Sequence, residues 1–363
     1  RLLLVLPDKE IYDYLCTGCA DSVGQRGITA GELVQRRAAP RRRIRRYVAM
    51  RVVFLGSGDI GLPSLQWLLH SPSMEVLAVV TQPDRAAGRG MSVRASRIKE
   101  LALSRDIEIF QPRKIREPEA IARIAALQPD LVVVMAYGQI LPQQLLDIPK
   151  LGALNLHASL LPRHRGAAPV HAAILSGDRT TGITSMWMDA GLDTGDILLA
   201  REIAIAPDET AGSLHDCLAE LAPAVLEESL ALINAGSAPR IKQDDTSATY
   251  APKLDRAYGR IDWSAAAEEI ARRVRGLHPW PGCTADLQLS GGRKITVKIH
   301  RASAVRGSAP AGEIKDGFCV GCGGGGLLEI SELQSPGGRP MSAADFLRGH
   351  AVERFVAPPL LQQ

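Results

Sequence analysis

Three polar residues offer the clearest chemistry in this chain. Asn155 and His157 lie two residues apart, and Asp193 follows in the Gly-flanked turn A-G-L-D-T-G-D. Side chains of a strand alternate between its faces, so Asn155 and His157 should point the same way. An amide donor, an imidazole and a carboxylate can together hold an oxyanion and move a proton at an acyl-type carbon.

Apolar runs indicate how these residues are positioned. From Met50 onward short apolar runs alternate with segments of helical spacing, and the run at 131–135 is typical of a strand buried on both faces. The alternation predicts an α/β fold with a Rossmann-like, doubly wound parallel sheet, whose ligands bind at the carboxyl ends of its strands. Asn155 and His157 end one such strand. The predicted strands are 51–55, 76–80, 107–110, 131–135 and 152–157, and the predicted helices are 62–69, 98–103, 117–127 and 211–233.

Composition changes twice along the chain. Residues 1–49 carry ten Lys or Arg and five Asp or Glu. They are predicted to be an extension of unknown role, either disordered or from a mis-set translation start, with a nucleic-acid tail or targeting piece as the alternative. Residues 50–240 form the predicted catalytic domain and 241–255 a linker. Residues 256–360 are rich in glycine and short strands, which predicts a smaller OB-like β-barrel.

The charge of the C-terminal part suggests a polyanionic partner. Residues 256–363 carry fourteen Lys or Arg and ten Asp or Glu, against nineteen and twenty-four in residues 50–255. A basic module attached to an acidic body fits nucleic acid, although a charge fluctuation without function is the alternative. No apolar run reaches the roughly 18 residues of a membrane span, so no membrane partner is expected.

Cysteine usage indicates a reducing compartment. Two C-x-x-C pairs occur, Cys16/Cys19 and Cys319/Cys322, but they lie far apart in sequence and neither has a His at ligand spacing. Reduced thiols in a cytoplasmic protein fit this pattern better than a shared zinc site. We also expect a monomer.

Two loops and three histidines allow more than one interpretation. The G-x-G-x-x-G at 56–61 follows a strand, as a dinucleotide site requires, but a tight turn that binds nothing has the same pattern. Arg85 and Arg89 lie in a Pro- and Gly-containing loop that suits phosphate contacts or is simply solvated.

His157 alone is compatible with a core histidine. His164 is interpreted as a surface-loop residue, and His171 as a helix residue.

From Met50 to about Val356 the chain resembles the methionyl-tRNA formyltransferase family. The signature of the wider folate-dependent superfamily is Asn155–Pro169 together with Met188–Asp196. Further matches separate the tRNA enzymes from single-domain relatives that formylate nucleotides or sugars. They are residues 81–90, A-Y-G-Q-I-L-P at 136–142, A-T-Y-A-P-K at 248–253, R-I-D-W at 260–263, P-W-P at 279–281 and M-S-A-A-D-F-L-R-G at 341–349.

The resemblance implies 10-formyltetrahydrofolate as donor, initiator methionyl-tRNA as acceptor, and no metal. Asn155, His157 and Asp193 take the catalytic places, and the loop with Arg85 and Arg89 is the one inserted at the tRNA acceptor stem. The chain departs from the family at Ala158, where Gly is usual, and at His164, where Trp is common. The residues in the tetrahydrofolate-binding place are Ser159, Leu160, Leu161 and Pro162. Further candidates for an apolar pterin slot are Ile140, Leu141 and Asp189.

Three other functions stay open from the sequence. A formyltransferase acting on a nucleotide or an amino sugar shares the core but needs no residues 256–363. A folate- or RNA-binding protein without catalysis conflicts with the intact Asn155, His157 and Asp193. An NAD oxidoreductase conflicts with the resemblance, because the family's first glycine loop binds no dinucleotide.

Overall fold

The computed structural model describes residues 49–87 and 92–356, and of residues 85–87 and 92–94 it describes the backbone. The predictions made for residues 1–48, including Cys16 and Cys19, and for Arg89 lie outside these ranges. None of the helices in these ranges combines the length and the apolar composition that a membrane span requires.

Strands and helices alternate in the first part of the described chain. The strands are β1 (Met50–Gly56), β2 (Met74–Val80), β3 (Arg85–Ala87), β4 (Ser92–Arg94), β5 (Glu108–Phe110), β6 (Leu131–Met135), β7 (Ala153–His157), β8 (Arg165–Gly166), β9 (Thr180–Trp187) and β10 (Ile197–Ala204). The helices are α1 (Leu62–His70), α2 (Arg97–Leu103), α3 (Pro118–Ala126), α4 (Gln143–Leu146), α5 (Pro169–Leu175) and α6 (Ala211–Asn234).

The predicted parallel sheet is confirmed. Strands β5, β2, β1, β6 and β7 pair in parallel in that order. Side chains of β1 alternate between two cores: Val52 and Phe54 pack with α1, α2 and α6, whereas Val53 and Leu55 pack with α3 and α4. Helices therefore cover both faces, which explains why β6 is apolar at every position.

An antiparallel edge, which the sequence analysis did not predict, completes this sheet. β9 pairs antiparallel with β7, and β10 pairs antiparallel with β9. The loop between β9 and β10 spans residues 188–196. It folds back far enough to bring Asp193 within 4 Å of Asn155 and His157.

The glycine loop after β1 serves packing. A Cβ on Gly56 would press against the Phe54 ring and the Met135 carbonyl, and one on Gly58 would meet Ala136. The N–H groups of Ser57 and Gly58 donate to the Ala136 carbonyl at 3.2 and 3.3 Å. Because the Ala136 carbonyl already accepts from them, these two N–H groups are not available to cradle a pyrophosphate.

The predicted second domain is an antiparallel, nearly closed barrel. The elements that follow α6 are β11 (Tyr250–Ala251), α7 (Ala267–Gly276), β12 (Cys283–Leu289), β13 (Lys294–Val305), β14 (Ile314–Lys315), β15 (Cys319–Gly321), β16 (Leu327–Gln334), β17 (Pro340–Ser342), α8 (Ala343–Gly349) and β18 (Val352–Val356). The sheet of the barrel runs in the order β14–β15–β16–β13–β12–β18, and a bridge from Glu313 to Arg354 joins its two ends. Trp263 and Phe355 meet inside the barrel at 4.6 Å between ring centroids.

Helix α5 joins the two domains. It packs against α7, and Ala168 and Leu175 contribute to the core of the barrel. His171 lies on α5, as predicted, and its Nε2 donates to the Trp280 carbonyl at 3.2 Å. Burial lowers the pKa of His171 below its ordinary value, and nearby His215 lowers it further.

This lowered pKa predicts a stability loss in weak acid. The unfolded chain binds a proton at His171 at a higher pH than the folded chain does. The contribution of neutral His171 to the free energy of unfolding is therefore complete above the ordinary pKa of about 6.5, and it is lost as the pH falls below that value. We expect the free energy of unfolding in urea to fall from about pH 7.5 to about pH 5.5, and to fall less in His171→Gln, which keeps an amide donor. His70→Gln, on the exposed side of α1, is the control. An equal fall in His171→Gln and in the unsubstituted chain contradicts the assignment.

Candidate active site

Asn155, His157 and Asp193 meet above the sheet. Asn155 Nδ2 lies 3.4 Å from Asp193 Oδ1, and His157 Nδ1 lies 3.7 Å from Asp193 Oδ2. Asn155 and His157 come from the same face of β7 and are largely buried, as is the Asp193 side chain. The structure thus brings together the three residues that the sequence singled out. Their catalytic roles remain a prediction.

The His157 ring is oriented by the backbone. Its Nε2 lies 2.9 Å from the carbonyl oxygen of His164. A carbonyl only accepts, so Nε2 carries a proton and Nδ1 is the nitrogen that faces Asp193. At 3.7 Å Asp193 is too far for a hydrogen bond, and the His164 carbonyl orients the ring instead.

Asp193 is held by backbone geometry and by one close donor. Its φ is +54°, in the left-handed region that a non-glycine residue seldom adopts. Its Oδ2 accepts the N–H of Gly166 at 2.8 Å. The turn before it is shaped by Asp189, whose Oδ1 accepts from the Gly191 N–H and the Thr194 hydroxyl at 3.0 and 2.7 Å.

These groups line a cavity of about 510 Å³, a size typical of small-molecule sites. The predicted folate contacts Ile140, Leu141 and Asp189 lie in its wall. Large side chains in its wall are exposed: Ile140 is 67%, Leu192 48% and Tyr250 64% accessible. The cavity therefore offers polar groups on one side and an apolar, open rim.

The second predicted folate segment lies behind the cavity. Ser159, Leu160, Leu161 and Pro162 are not among the lining residues. The Ser159 hydroxyl is buried and donates to the Arg163 carbonyl at 2.6 Å. The Thr184 hydroxyl binds the Ser159 carbonyl and the Leu161 N–H. The structure therefore gives this turn a supporting position after β7, and direct folate contact by it remains a prediction.

His164 is not a surface-loop residue, and that interpretation was wrong. It is 4% exposed, and its Nε2 lies 2.7 Å from Asp178 Oδ2. Its N–H donates to the Thr249 hydroxyl at 2.8 Å. The imidazole satisfies polar partners inside the protein, so burial costs little. His164 also presents the carbonyl that holds His157, at a φ of +58°.

Several residues of the site were missed from the sequence. Tyr250 and Lys253, from the segment that precedes the barrel, line the cavity. Strand β11 of that segment pairs in parallel with β8. Tyr137 lines the cavity with a buried hydroxyl that has no hydrogen-bond partner among the described residues, and burial raises the pKa of this phenol well above its ordinary value. Only the A-Y-G-Q-I-L-P and A-T-Y-A-P-K matches pointed to these residues.

The remaining predicted sites are less well defined. Arg85 begins β3, which pairs antiparallel with β4, and Arg89 lies outside the described residues.

Among the residues that the structure describes, no group of three or more His, Cys, Asp or Glu side chains could hold a metal ion. Burial raises the pKa of Cys322 to about 11 and also raises that of Cys319, so both thiols keep their protons at neutral pH.

Comparisons with known proteins agree with this architecture. A family model described as formyl transferase matches residues 50–230, and one described as formyl transferase, C-terminal domain, matches residues 253–351. The methionyl-tRNA formyltransferase of Geobacter sulfurreducens is 46% identical over 308 residues, which cover 84% of this chain and 95% of the relative. That of Pseudomonas putida strain GB-1 is 46% identical over 318 residues, 86% of this chain and 100% of the relative.

A solved structure shares the fold. The N-formyltransferase from Helicobacter canadensis, in complex with folinic acid and dTDP-3-aminofucose, has a TM-score of 0.57 at 17% identity, over 79% of this chain and 100% of its own. At this identity the likeness concerns the fold alone. The two family models together span most of residues 50–351, and the curated relatives match over nearly their whole length. The chain therefore belongs to the formyl transferase family.

Proposed function

We propose that this enzyme transfers a formyl group from 10-formyltetrahydrofolate to the α-amine of initiator methionyl-tRNA. The observation that carries the proposal is the convergence of Asn155, His157 and Asp193 on one cavity in a chain 46% identical to enzymes named for this reaction. A role in starting translation places the protein in the cytoplasm.

The cavity suits the folate. The pterin is a flat, largely apolar ring with polar edges, and Ile140, Leu141 and Asp189 supply apolar surface and a carboxylate. The structurally similar Helicobacter canadensis enzyme is in complex with folinic acid, a folate. We assign the pterin to this wall, so that the formyl group points toward β7.

Asn155 and His157 stabilise the oxygen that becomes anionic. The uncharged amine attacks the formyl carbon, a C–N bond forms, and the C=O electrons move to the oxygen. The Asn155 amide has two N–H groups, of which one faces Asp193 Oδ1 and the other is available to that oxygen. His157 Nε2 is held by the His164 carbonyl, so a protonated Nδ1 is the second donor.

Asp193 completes the reaction. When the intermediate collapses, the bond from the formyl carbon to folate N10 breaks, and N10 takes up the proton that the amine has released. Asp193 faces both Asn155 and His157, so it can receive this proton and pass it on through water. Its Oδ2 also lies 3.7 Å from His157 Nδ1.

The barrel and the β3–β4 loop bind the tRNA in this proposal. On β13, Lys294 and Lys298 alternate with the buried Val297 and Ile299, so both lysines lie on the outer face. Lysines spaced along one strand suit a phosphate backbone. We assign Arg85 and Arg89 to the acceptor end of the tRNA, where they select the substrate.

Transfer of labelled formyl from 10-formyltetrahydrofolate is the direct test. We expect transfer to methionyl-tRNA, and none to free methionine or to a nucleotide-linked amino sugar. His157→Ala and Asp193→Asn should each lower turnover about 10²–10³-fold, because each removes a group that acts in the transition state.

Asp196→Asn is the matched control, since Asp196 lies three residues from Asp193 and pairs only loosely with Arg240, at 3.9 Å. Transfer to the amino sugar in place of the tRNA supports the small-amine alternative. Near-normal turnover in His157→Ala or Asp193→Asn refutes the proposed roles.

Salt dependence tests the barrel. Removing one lysine that neutralises a tRNA phosphate should reduce the slope of log affinity against log salt by about one. Lys294→Ala with Lys298→Ala should therefore weaken tRNA binding at low salt and flatten the slope, while the KM for the folate stays unchanged. Lys150→Ala, on the catalytic domain, is the control. An unchanged slope in the double variant means that the tRNA lies elsewhere.

A further inference from the structure

A glutamine between the two domains reaches back to the site. Gln243 follows α6 and precedes the barrel, fifty residues from Asp193. Its Oε1 accepts from Arg165 Nε and Nη2 at 3.1 and 2.8 Å. Its Nε2 donates to the carbonyl oxygens of Asp193 and Gly195 at 2.9 and 2.8 Å. All four hydrogen-bonding positions of this amide are occupied, and an exchange of its O and N atoms would place like groups against one another.

Arg165 holds the side-chain amide of Gln243 in place. The guanidinium is 2% exposed and also donates to Asp245 Oδ1 at 2.7 Å. Its backbone N–H donates to the Thr249 carbonyl at 2.8 Å, beside the pairing of β8 with β11. Because the guanidinium is buried and donates two N–H groups to the Gln243 oxygen, it fixes where that oxygen lies.

The two carbonyls that Gln243 binds belong to a strained turn. Asp193 has a φ of +54°, which costs free energy for a residue with a Cβ. Gly195 is packed so closely that a Cβ there would overlap the carbonyl of Trp187. Because Gln243 Nε2 donates to both, the carbonyl oxygens of Asp193 and Gly195 point toward the same nitrogen atom. This fixes the direction in which the Asp193 carboxylate leaves the backbone.

We propose that Gln243 is a positioning residue for Asp193, so that the segment between the domains sets the geometry of the catalytic carboxylate. This inference rests on the role given to Asp193 in the proposed function. Gln243 touches no reacting atom in this account. It acts by holding Asp193 where its carboxylate faces Asn155 and His157.

The pair Gln243→Ala and Gln243→Glu tests the proposal. Glutamate keeps an oxygen for Arg165 and strengthens that contact, but it has no N–H for the two carbonyls. We therefore expect both variants to lower kcat about 10–100-fold, the cost of a displacement of about 1 Å at a reacting group. The KM values for the folate and for methionyl-tRNA should stay close to those of the unsubstituted enzyme. Lys242→Ala, at the exposed neighbouring position, is the control and should leave kcat unchanged.

A role limited to supporting Arg165 gives a different result. In that case Gln243→Glu keeps full kcat, and the proposal is overturned. Circular dichroism establishes that the variants are folded. Should Gln243→Ala fail to fold, Gln243→Glu alone decides.

A double-mutant cycle tests whether the effect passes through Asp193. Once Asp193→Asn has removed the carboxylate, the further change Gln243→Glu should cost much less than it does alone. Effects that multiply fully show that Gln243 acts elsewhere and overturn the inference. Near-normal turnover in Asp193→Asn by itself refutes the role given to Asp193, whereas the proposed function fails only if the unsubstituted enzyme transfers no formyl group to methionyl-tRNA. Impaired Asp193→Asn with normal Gln243→Glu refutes this inference only.

Discussion

The site depends on a single carboxylate that joins segments far apart in sequence. One carboxylate oxygen of Asp193 accepts the Gly166 N–H, and the other faces the Asn155 amide. The backbone carbonyl of Asp193 accepts from Gln243. These partners come from β7, from β8 and from the segment before the barrel. A largely buried carboxylate needs such donors, because burying a charge without hydrogen-bond partners costs free energy.

Left-handed backbone conformations give the site its shape. Ala136, His164 and Asp193 all have a φ between +50° and +58°, although none is glycine. Each turns the chain where a carbonyl or side chain must face inward: Ala136 toward the glycine loop, His164 toward His157, and Asp193 toward the cavity. Such residues persist only when the surrounding structure holds them, and here hydrogen bonds to His164 and to the Asp193 carbonyl do so.

The catalytic and barrel domains pack against each other and are not simply connected by a flexible linker. Strand β11 pairs with β8, α5 contributes to the core of the barrel, and Tyr250 and Lys253 line the cavity. The segment interpreted as a linker is therefore part of the site. An enzyme of this family that lacked this segment would lose the wall of the cavity that these residues form.

The parallel sheet could be predicted because strands buried on both faces are apolar throughout, as β6 is. The placement of Asn155 and His157 on one face followed from strand periodicity. The antiparallel edge could not be predicted, since the spacing of β9 and β10 does not reveal their direction. The burial of His164 was hidden because its partners, Asp178 and Thr249, are distant in sequence. Gln243 gave no signal at all, since an isolated glutamine in a polar stretch resembles any solvated residue.

The central claim is that Asn155 and His157 donate hydrogen bonds to the formyl oxygen while Asp193 faces both. Isotope-edited infrared spectroscopy of 10-formyltetrahydrofolate labelled with ¹³C at the formyl carbon measures the stretching frequency of the formyl C=O bond, which hydrogen bonds to its oxygen lower. The account predicts a lower carbonyl stretching frequency in the bound state than in water, and a partial return toward the frequency in water in Asn155→Ala and in His157→Ala. A bound frequency that is the same in the unsubstituted enzyme and in both variants would contradict it.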